Sequence, residues 1–135
     1  MADALFKLQI ITPERVFCEE EINRVTFTTT EGDIGVLKGH IPLTTTVKSG
    51  VVKIKTGEDE KRAALHGGFA EIKENEVTIL ADAAEWPEEI DVERAMKAKE
   101  RAKEKIEHKS EVDMLRAEAS LKRSLVRIEV AQKHK

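Results

Sequence analysis

Cysteine is almost missing from these 135 residues: Cys18 stands alone. No internal disulfide can form, and a lone thiol suits a reducing compartment, so the expected location is cytoplasmic. Aromatic residues are scarce at 4% while hydrophobic residues reach 40%, so the core has to be built mainly of Val, Ile and Leu. No apolar run approaches the ~18 residues of a membrane helix. Met1 to Phe6 lacks the basic start and apolar stretch of a signal peptide. Catalytic patterns are missing as well. Cys18, His40, His66, His108 and His134 show no zinc spacing, and no Ser or Cys stands in a nucleophile motif. No Gly-Lys-Ser/Thr is present to cradle phosphates and magnesium as a P-loop does. The expectation is a chain with no catalytic site and no metal site of its own.

What is there falls into two halves. Glycine and proline stop at Pro87, and beyond it the chain is rich in Ala, Lys, Glu and Arg. The front half carries β-type segments. Leu5 to Ile11, Val16-Phe17 and Ile22 to Thr28 come first, followed by Leu43 to Val47 and Val51 to Thr56. Arg62 to His66, Phe69 to Ile72 and Val77 to Leu80 complete the set. Gly57 to Glu60 and Lys73 to Glu76 read as hairpin turns, Glu19 to Glu21 as a solvated edge or loop, and Glu31 to Leu43 as a glycine-rich loop. So many short strands at close spacing argue for a sandwich or barrel over a parallel sheet. Gly67-Gly68 reads as a structural bend.

Pro87 disfavours helical geometry at Trp86, so the stretch Ala81 to Ala95 reads as a hinge, with Asp91 placed as a helix N-cap. Val92, Ala95, Met96, Lys99, Ala102 and Ile106 follow helical spacing. A second helix is expected from Ser110, where Ser110-Glu111-Val112-Asp113 resembles a capping box. Its stripe runs Met114, Ala117, Leu121, Leu125 and Ile128, with Leu115 and Val126 alongside. The product is an antiparallel helical hairpin with a thin alanine-rich seam, marginal in stability by itself. The predicted domains are therefore 1–86, a β-sandwich, and 87–135, a helical hairpin.

Charge follows the same division. Residues 1–86 hold 10 Lys and Arg against 15 Asp and Glu, a net of −5, whereas from Arg94 onward the counts are 13 and 7, a net of +6. The second helix brings Arg116, Lys122, Arg123 and Arg127 against Glu118 and Glu129, a face able to meet phosphates. A nucleic-acid partner is opposed by the pI near 5.9 and by the lack of stacking aromatics in that half.

Three stretches together point to a family. These are Glu31-Gly32-Asp33-Ile34-Gly35-Val36-Leu37-Lys38-Gly39-His40-Ile41-Pro42-Leu43, then His66-Gly67-Gly68-Phe69-Ala70-Glu71-Ile72, then the acidic, alanine-rich hinge before two helices. The chain resembles, over its whole length, the epsilon subunits of bacterial F-type ATP synthases, with Lys38 standing where that family usually has proline. The resemblance implies a β-sandwich of about ten strands followed by a helical hairpin. It implies a non-catalytic rotor subunit touching the gamma subunit and the c-ring, peripheral on the cytoplasmic face of the cell membrane. The coupled ion would be proton or sodium. By matching position, Glu31, Asp33 and His40 would lie at the c-ring contact, with Ile34, Val36 and Leu37 behind them.

The resemblance also gives the hinge a ligand. In some bacterial members Ile-Asp-x-x-Arg-Ala belongs to a site that binds ATP without hydrolysing it, and here it stands as Ile90-Asp91-Val92-Glu93-Arg94-Ala95. Glu85 matches an additional acidic contact, and Arg123 and Arg127 would complete a phosphate cradle. ATP would favour helices folded together against the sandwich. At low ATP the basic helix would reach acidic segments of the alpha and beta subunits of the catalytic head and block rotation. Two alternatives are kept. One is an assembly adaptor without ATP sensing, its Asp91 simply capping a helix; the other is a basic helical nucleic-acid binder.

Overall fold

Phe6, Leu8 and Ile10 alternate with Lys7, Gln9 and Ile11, and this period of two buries one side of the first strand, β1 (Phe6–Ile11), almost completely. The same rule builds the front half of the structure, a computed structural model that describes residues 4–107 and 114–133. Two compact units are present, Met1–Glu85 and Trp86–Lys135. Among the described residues the first unit contains β1, β2 (Val16–Ile22), β3 (Arg24–Thr29), β4 (Gly32–Val36), β5 (Leu43–Val47), β6 (Gly50–Thr56), β7 (Asp59–Ile72) and β8 (Glu76–Glu85).

These eight strands make a β-sandwich, two fewer than the family resemblance implied. They run in the hydrogen-bonded order β2-β1-β8-β7-β5-β3-β4, with β6 paired to β3 and β7. Its core takes Leu8, Ile10, Ile22, Val25, Phe27, Val36, Val52, Ile54, Leu65, Ile72 and Ile79. Each such side chain contributes about 1.5–3 kcal/mol on burial. The Val-Ile-Leu core expected from the scarcity of aromatics is what forms, with Phe6, Phe17 and Phe27 as its aromatic members.

The segments Arg62 to His66 and Phe69 to Ile72, read as two strands, form one, β7. Gly67 and Gly68, at φ +73 and +124, bend the strand without ending it, and its pairing with β8 keeps one register from Ala64↔Glu85 to Ile72↔Val77. On its other edge β7 pairs β6 up to Leu65 and β5 from Gly68 onward, so the glycine corner marks the change of partner. The bend expected at this pair is present, inside one fourteen-residue strand.

Two more differences have plain causes. β4 forms inside the stretch read as loop, because Ile34 and Val36 alternate with glycines and pair with Phe27 and Val25. β1 and β8 pair in parallel, one such pair in a sheet otherwise antiparallel. The acidic Glu19 to Glu21 lie on β2, which is an edge of the sheet as expected.

In the second unit, Trp86 is extended (φ −75, ψ 157), as the following proline demands, and a single 3₁₀ turn covers Pro87–Glu89. The Trp86 amide donates to Glu89 Oε1 at 2.9 Å, closing that turn. Two helices follow, α1 (Val92–Glu107) and α2 (Met114–Lys133), packed side by side. Residues 98–105 of α1 and 116–123 of α2 line one groove, and α2 also touches the Pro87–Glu89 turn at the root of α1, so the pair is antiparallel. Ala95 and Ala102 are the buried residues of α1, and Ala117, Ser124, Val126, Val130 and Ala131 are buried on α2. Met96 and Leu125, assigned to the apolar stripes by spacing, are 48% and 43% exposed. On α1 the buried positions are small side chains, whereas α2 also buries Val126 and Val130. The capping box at Ser110 to Asp113 lies outside the described residues.

Candidate functional site

The residues expected to meet a c-ring do not form one cluster. Glu31 sits in the β3–β4 turn, where its amide donates to Thr29 Oγ1 at 3.1 Å. Asp33 opens β4 and accepts from Thr28 Oγ1 at 2.7 Å. His40 stands beyond the far end of β4, its Nδ1 2.6 Å from the Ile41 carbonyl oxygen. The loop holding His40 is tied down by the Gly39 amide, which donates to the Glu74 carbonyl in the β7–β8 turn at 2.7 Å. Of the apolar residues expected behind these, Val36 is inside the sandwich, paired across from Val25, and is no surface residue. Leu37 is half exposed, and Ile41 in the same loop reaches 79%.

A larger apolar feature was not anticipated. Phe69 on β7 lies opposite Leu80 on β8, Leu80 opposite Ile11 on β1, and Ile11 opposite Val16 on β2. Residues directly opposite in a sheet share a face, so the four make one continuous row. Phe69, Leu80 and Val16 are 60%, 53% and 56% exposed, and Ile11 is half-buried. Contiguous exposed apolar surface of this kind is characteristic of a docking face. The signal in the sequence was a departure from alternation: Ile10-Ile11 and Ile79-Leu80 place apolar residues on both faces.

Two buried side chains of the first unit carry reactive groups. Cys18 is buried, and loss of solvent together with the nearby Glu20 carboxylate pushes its thiol up to about 11, which keeps it unreactive. His66, on β7, is 5% exposed. Its Nε2 lies 3.1 Å from Glu85 Oε1, and its Nδ1 is buried with no hydrogen-bond partner.

The second unit carries most of the expected nucleotide residues. Asp91 Oδ1 accepts from the Arg94 amide at 3.1 Å, and the Ala95 amide donates to the Asp91 carbonyl at 3.0 Å. Asp91 therefore caps α1, as its position predicted. The same turn leaves the Asp91 and Arg94 side chains exposed and buries Ile90 and Ala95. Arg123 on α2 lines a groove of about 370 Å³ with Arg101, Lys105 and Arg116, floored by Ala98, Ala102 and Ala117. From Arg123 an antiparallel α2 runs back through Arg127 toward the start of α1, where Arg94 stands. Glu85 belongs to the first unit and is engaged by His66 there.

Chemically, the Asp91 carboxylate can accept from amino and hydroxyl groups, and guanidinium groups can donate pairwise to phosphate oxygens. The Asp91 carboxylate and these guanidinium groups have the chemistry that a nucleotide would need. Arg101, Lys105 and Arg116 were not singled out by sequence reasoning. Their signal was the i, i+4 placement of Arg101 and Lys105 on the face that also carries Ala98 and Ala102. Among the described residues no group of three or more His, Cys, Asp or Glu is placed to hold a metal ion, and no helix is long and apolar enough to cross a membrane.

Comparison with known proteins covers both units. Residues 5–87 match the family described as ATP synthase, Delta/Epsilon chain, beta-sandwich domain, and residues 88–132 match ATP synthase, Delta/Epsilon chain, long alpha-helix domain. The chain is 48% identical over 134 residues to the ATP synthase epsilon chain of Caldanaerobacter subterraneus subsp. tengcongensis, covering 98% of this chain and 97% of that one. It is 41% identical over 133 residues to the ATP synthase epsilon chain of Caldicellulosiruptor bescii, with coverage of 98% and 97%. Among solved structures it is similar to a chain of the Euglena gracilis mitochondrial ATP synthase, OSCP/F1/c-ring in rotational state 1. The TM-score is 0.84 at 27% identity, covering 98% of this chain and 84% of that one. A chain of the Tetrahymena thermophila mitochondrial ATP synthase central stalk and c-ring shares the fold, with a TM-score of 0.59 at 14% identity over 99% and 98% of the two chains.

Proposed function

This chain belongs to the ATP synthase delta/epsilon family, and from that premise we propose that it is an epsilon-type rotor subunit whose helical unit senses ATP and restrains ATP hydrolysis. It is a non-catalytic stalk chain. In the proposed assembly the β-sandwich joins a gamma subunit to the c-ring. The exposed row Phe69, Leu80, Ile11 and Val16 is the face offered to gamma, because its apolar area needs a dry partner. Glu31 and Asp33 at one loop, and His40 with Leu37 and Ile41 at another, are offered to the c-ring. Attachment to the membrane is through the complex.

The observation that carries the regulatory reading is the helical seam. Four cations, Arg101, Lys105, Arg116 and Arg123, face one groove across a seam of alanine and serine. Like charges so placed oppose closure, and the alanines lining this groove add little apolar burial to offset them. A polyanion lowers the repulsion. ATP, held at Ile90, Asp91, Arg94 and Ala95 with phosphates toward Arg123 and Arg127, would favour the paired helices. With ATP at 100 times its dissociation constant, binding to the paired form alone shifts the balance by about 2.7 kcal/mol. When ATP falls the pair opens, and α2 offers its basic face to acidic segments of the alpha and beta subunits.

Arg94→Ala tests this. Alanine favours helix, so the change removes a phosphate partner without breaking α1. Calorimetric titration with ATP, with and without magnesium, should show affinity reduced at least about tenfold at unchanged helical content. Equal affinity in the variant and the unmodified chain refutes the site.

A further inference from the structure

We infer that the outer face of β3, β6 and β7 holds a binding site for a small soluble phosphate ester, seated on Arg24, Lys53 and Lys55; the inference stands apart from the nucleotide reading of the helical unit. Register puts these residues together. Arg24 lies opposite Lys55 and Thr26 opposite Lys53, and on the other side of β6 Lys53 lies opposite Arg62 and Lys55 opposite Glu60. Residues opposite one another share a face, so four cations fall within a patch of roughly 10 Å by 7 Å. The other face of the same strands is core, with Val25, Val52 and Ile54 buried.

Folding gives no reason for this concentration of charge. Arg24 with Lys55 and Lys53 with Arg62 are like-charge pairs directly across a ladder, an arrangement that weakens a sheet. Lysine commonly guards an exposed edge, but β6 is paired on both sides and is no edge. Glu60 Oε1 is 3.9 Å from Arg62 Nη2. Among the described residues no ion pair or hydrogen bond holds the side chains of Arg24, Lys53 or Lys55, all three exposed. Arg24 also has a place prepared for it. Its Nη2 lies 3.1 Å from where a Cβ on Gly35 would stand, and Gly35 is not among the glycines at positive φ, so its backbone does not require glycine. The missing side chain is what lets the guanidinium lie over β4.

The lining indicates what fits. Arg24, Thr26, Lys53, Lys55, Glu58 and Glu60 surround an open groove of about 430 Å³, the size of a small-molecule site. The guanidinium, the two ammonium groups and the Thr26 hydroxyl can all donate to phosphate oxygens. Glu58 and Glu60, at the β6–β7 turn, can accept from hydroxyl groups of the same ligand. An extended polyanion fits less well. A bilayer surface or a duplex meets those two carboxylates and the net charge of −5 on residues 1–86, whereas a ligand in the groove lies within a Debye length, about 8 Å, of the cations.

The test is a titration of the full chain with ribose 5-phosphate, followed by the amide resonances of Thr26, Lys53, Lys55 and Arg62, with ribose as the uncharged control. Saturable shifts are expected with the phosphate ester and none with ribose. Arg24→Gln and Lys53→Glu should each reduce the affinity at least about tenfold. Resonances of α1 and α2 report phosphate bound at the helices and are read separately. Lys53→Glu places an acid opposite Arg62, so its thermal midpoint should hold or rise while binding is lost, the reverse of what a merely structural lysine would show. A fall in that midpoint removes the like-charge strain and the inference with it. Absence of shifts in β3 and β6 at millimolar ester, or unmodified affinity in either variant, overturns the inference. Shifts at these residues that arise only with phosphatidylglycerol vesicles or duplex DNA overturn it as well, by making the face a membrane or nucleic-acid surface.

Discussion

Replacing Gly68 by alanine should damage the sandwich far more than the same change at Gly57, although both glycines have positive φ. At Gly57, φ is +64 and an added Cβ meets nothing within 4 Å, so the cost is the left-handed backbone alone, about 1 kcal/mol. At Gly68, φ is +124, outside the left-handed helical well that other residues visit. There the Cβ would strike the Leu80 carbonyl oxygen and approach the Ala81 Cα to 2.9 Å. Both neighbours are backbone of β8, which cannot step aside without breaking the β7–β8 ladder. Strain of about 1–2 kcal/mol and overlap relief of about 1–3 kcal/mol put the loss near 2–5 kcal/mol. Against a typical domain stability of about 5–15 kcal/mol that is a large fraction. Urea unfolding of the full chain followed by the strand circular-dichroism signal measures it. If Gly68→Ala unfolds within about 1 kcal/mol of Gly57→Ala, the glycine corner is not the constraint argued from the structure.

Asp91→Ala removes the cap on the Arg94 amide and should cost α1 about 1 kcal/mol, read as a lower helical melting midpoint in the full chain. Phe69→Glu with Leu80→Glu changes two residues that are 60% and 53% exposed. Stability should move by less than about 0.5 kcal/mol per site while binding of a gamma subunit is lost; retained binding in a pull-down excludes the row as that interface. Cys18, with its thiol pushed up to about 11 from 9.0, should alkylate about a hundredfold more slowly than the unfolded chain at pH 8. The folded state holds this proton longer, so its contribution to stability is complete below pH 9 and is lost as pH rises through 11, which denaturant midpoints across that range would register.

The sequence made the division at Trp86-Pro87 legible because a proline, a composition change and a charge change coincide there. Asp91 as a cap was legible for the same local reason: its role depends on four consecutive residues. Strand number was not. Gly67-Gly68 looks like an ending, and only the partner strands show that β7 passes through the corner without stopping. β4 was hidden because Gly32 and Gly35 dilute its alternation. On the helices, spacing found the right faces, and Ala95, Ala102, Ala117 and Val126 are buried on them as read. Met96 and Leu125 satisfy the period, yet they are 48% and 43% exposed while Val126 and Val130 are buried. The Phe69 to Val16 row and the four-cation groove escaped because each is assembled from distant segments, and pairing register is not written in any one of them.

The regulatory reading reduces to one physical difference between two states of the second unit. Amide hydrogen exchange of the full chain, with and without saturating ATP, measures it most directly. The account predicts slower exchange along α1 and α2 when ATP is present, with β1 to β8 unchanged. Identical exchange of both helices in the two conditions would contradict it.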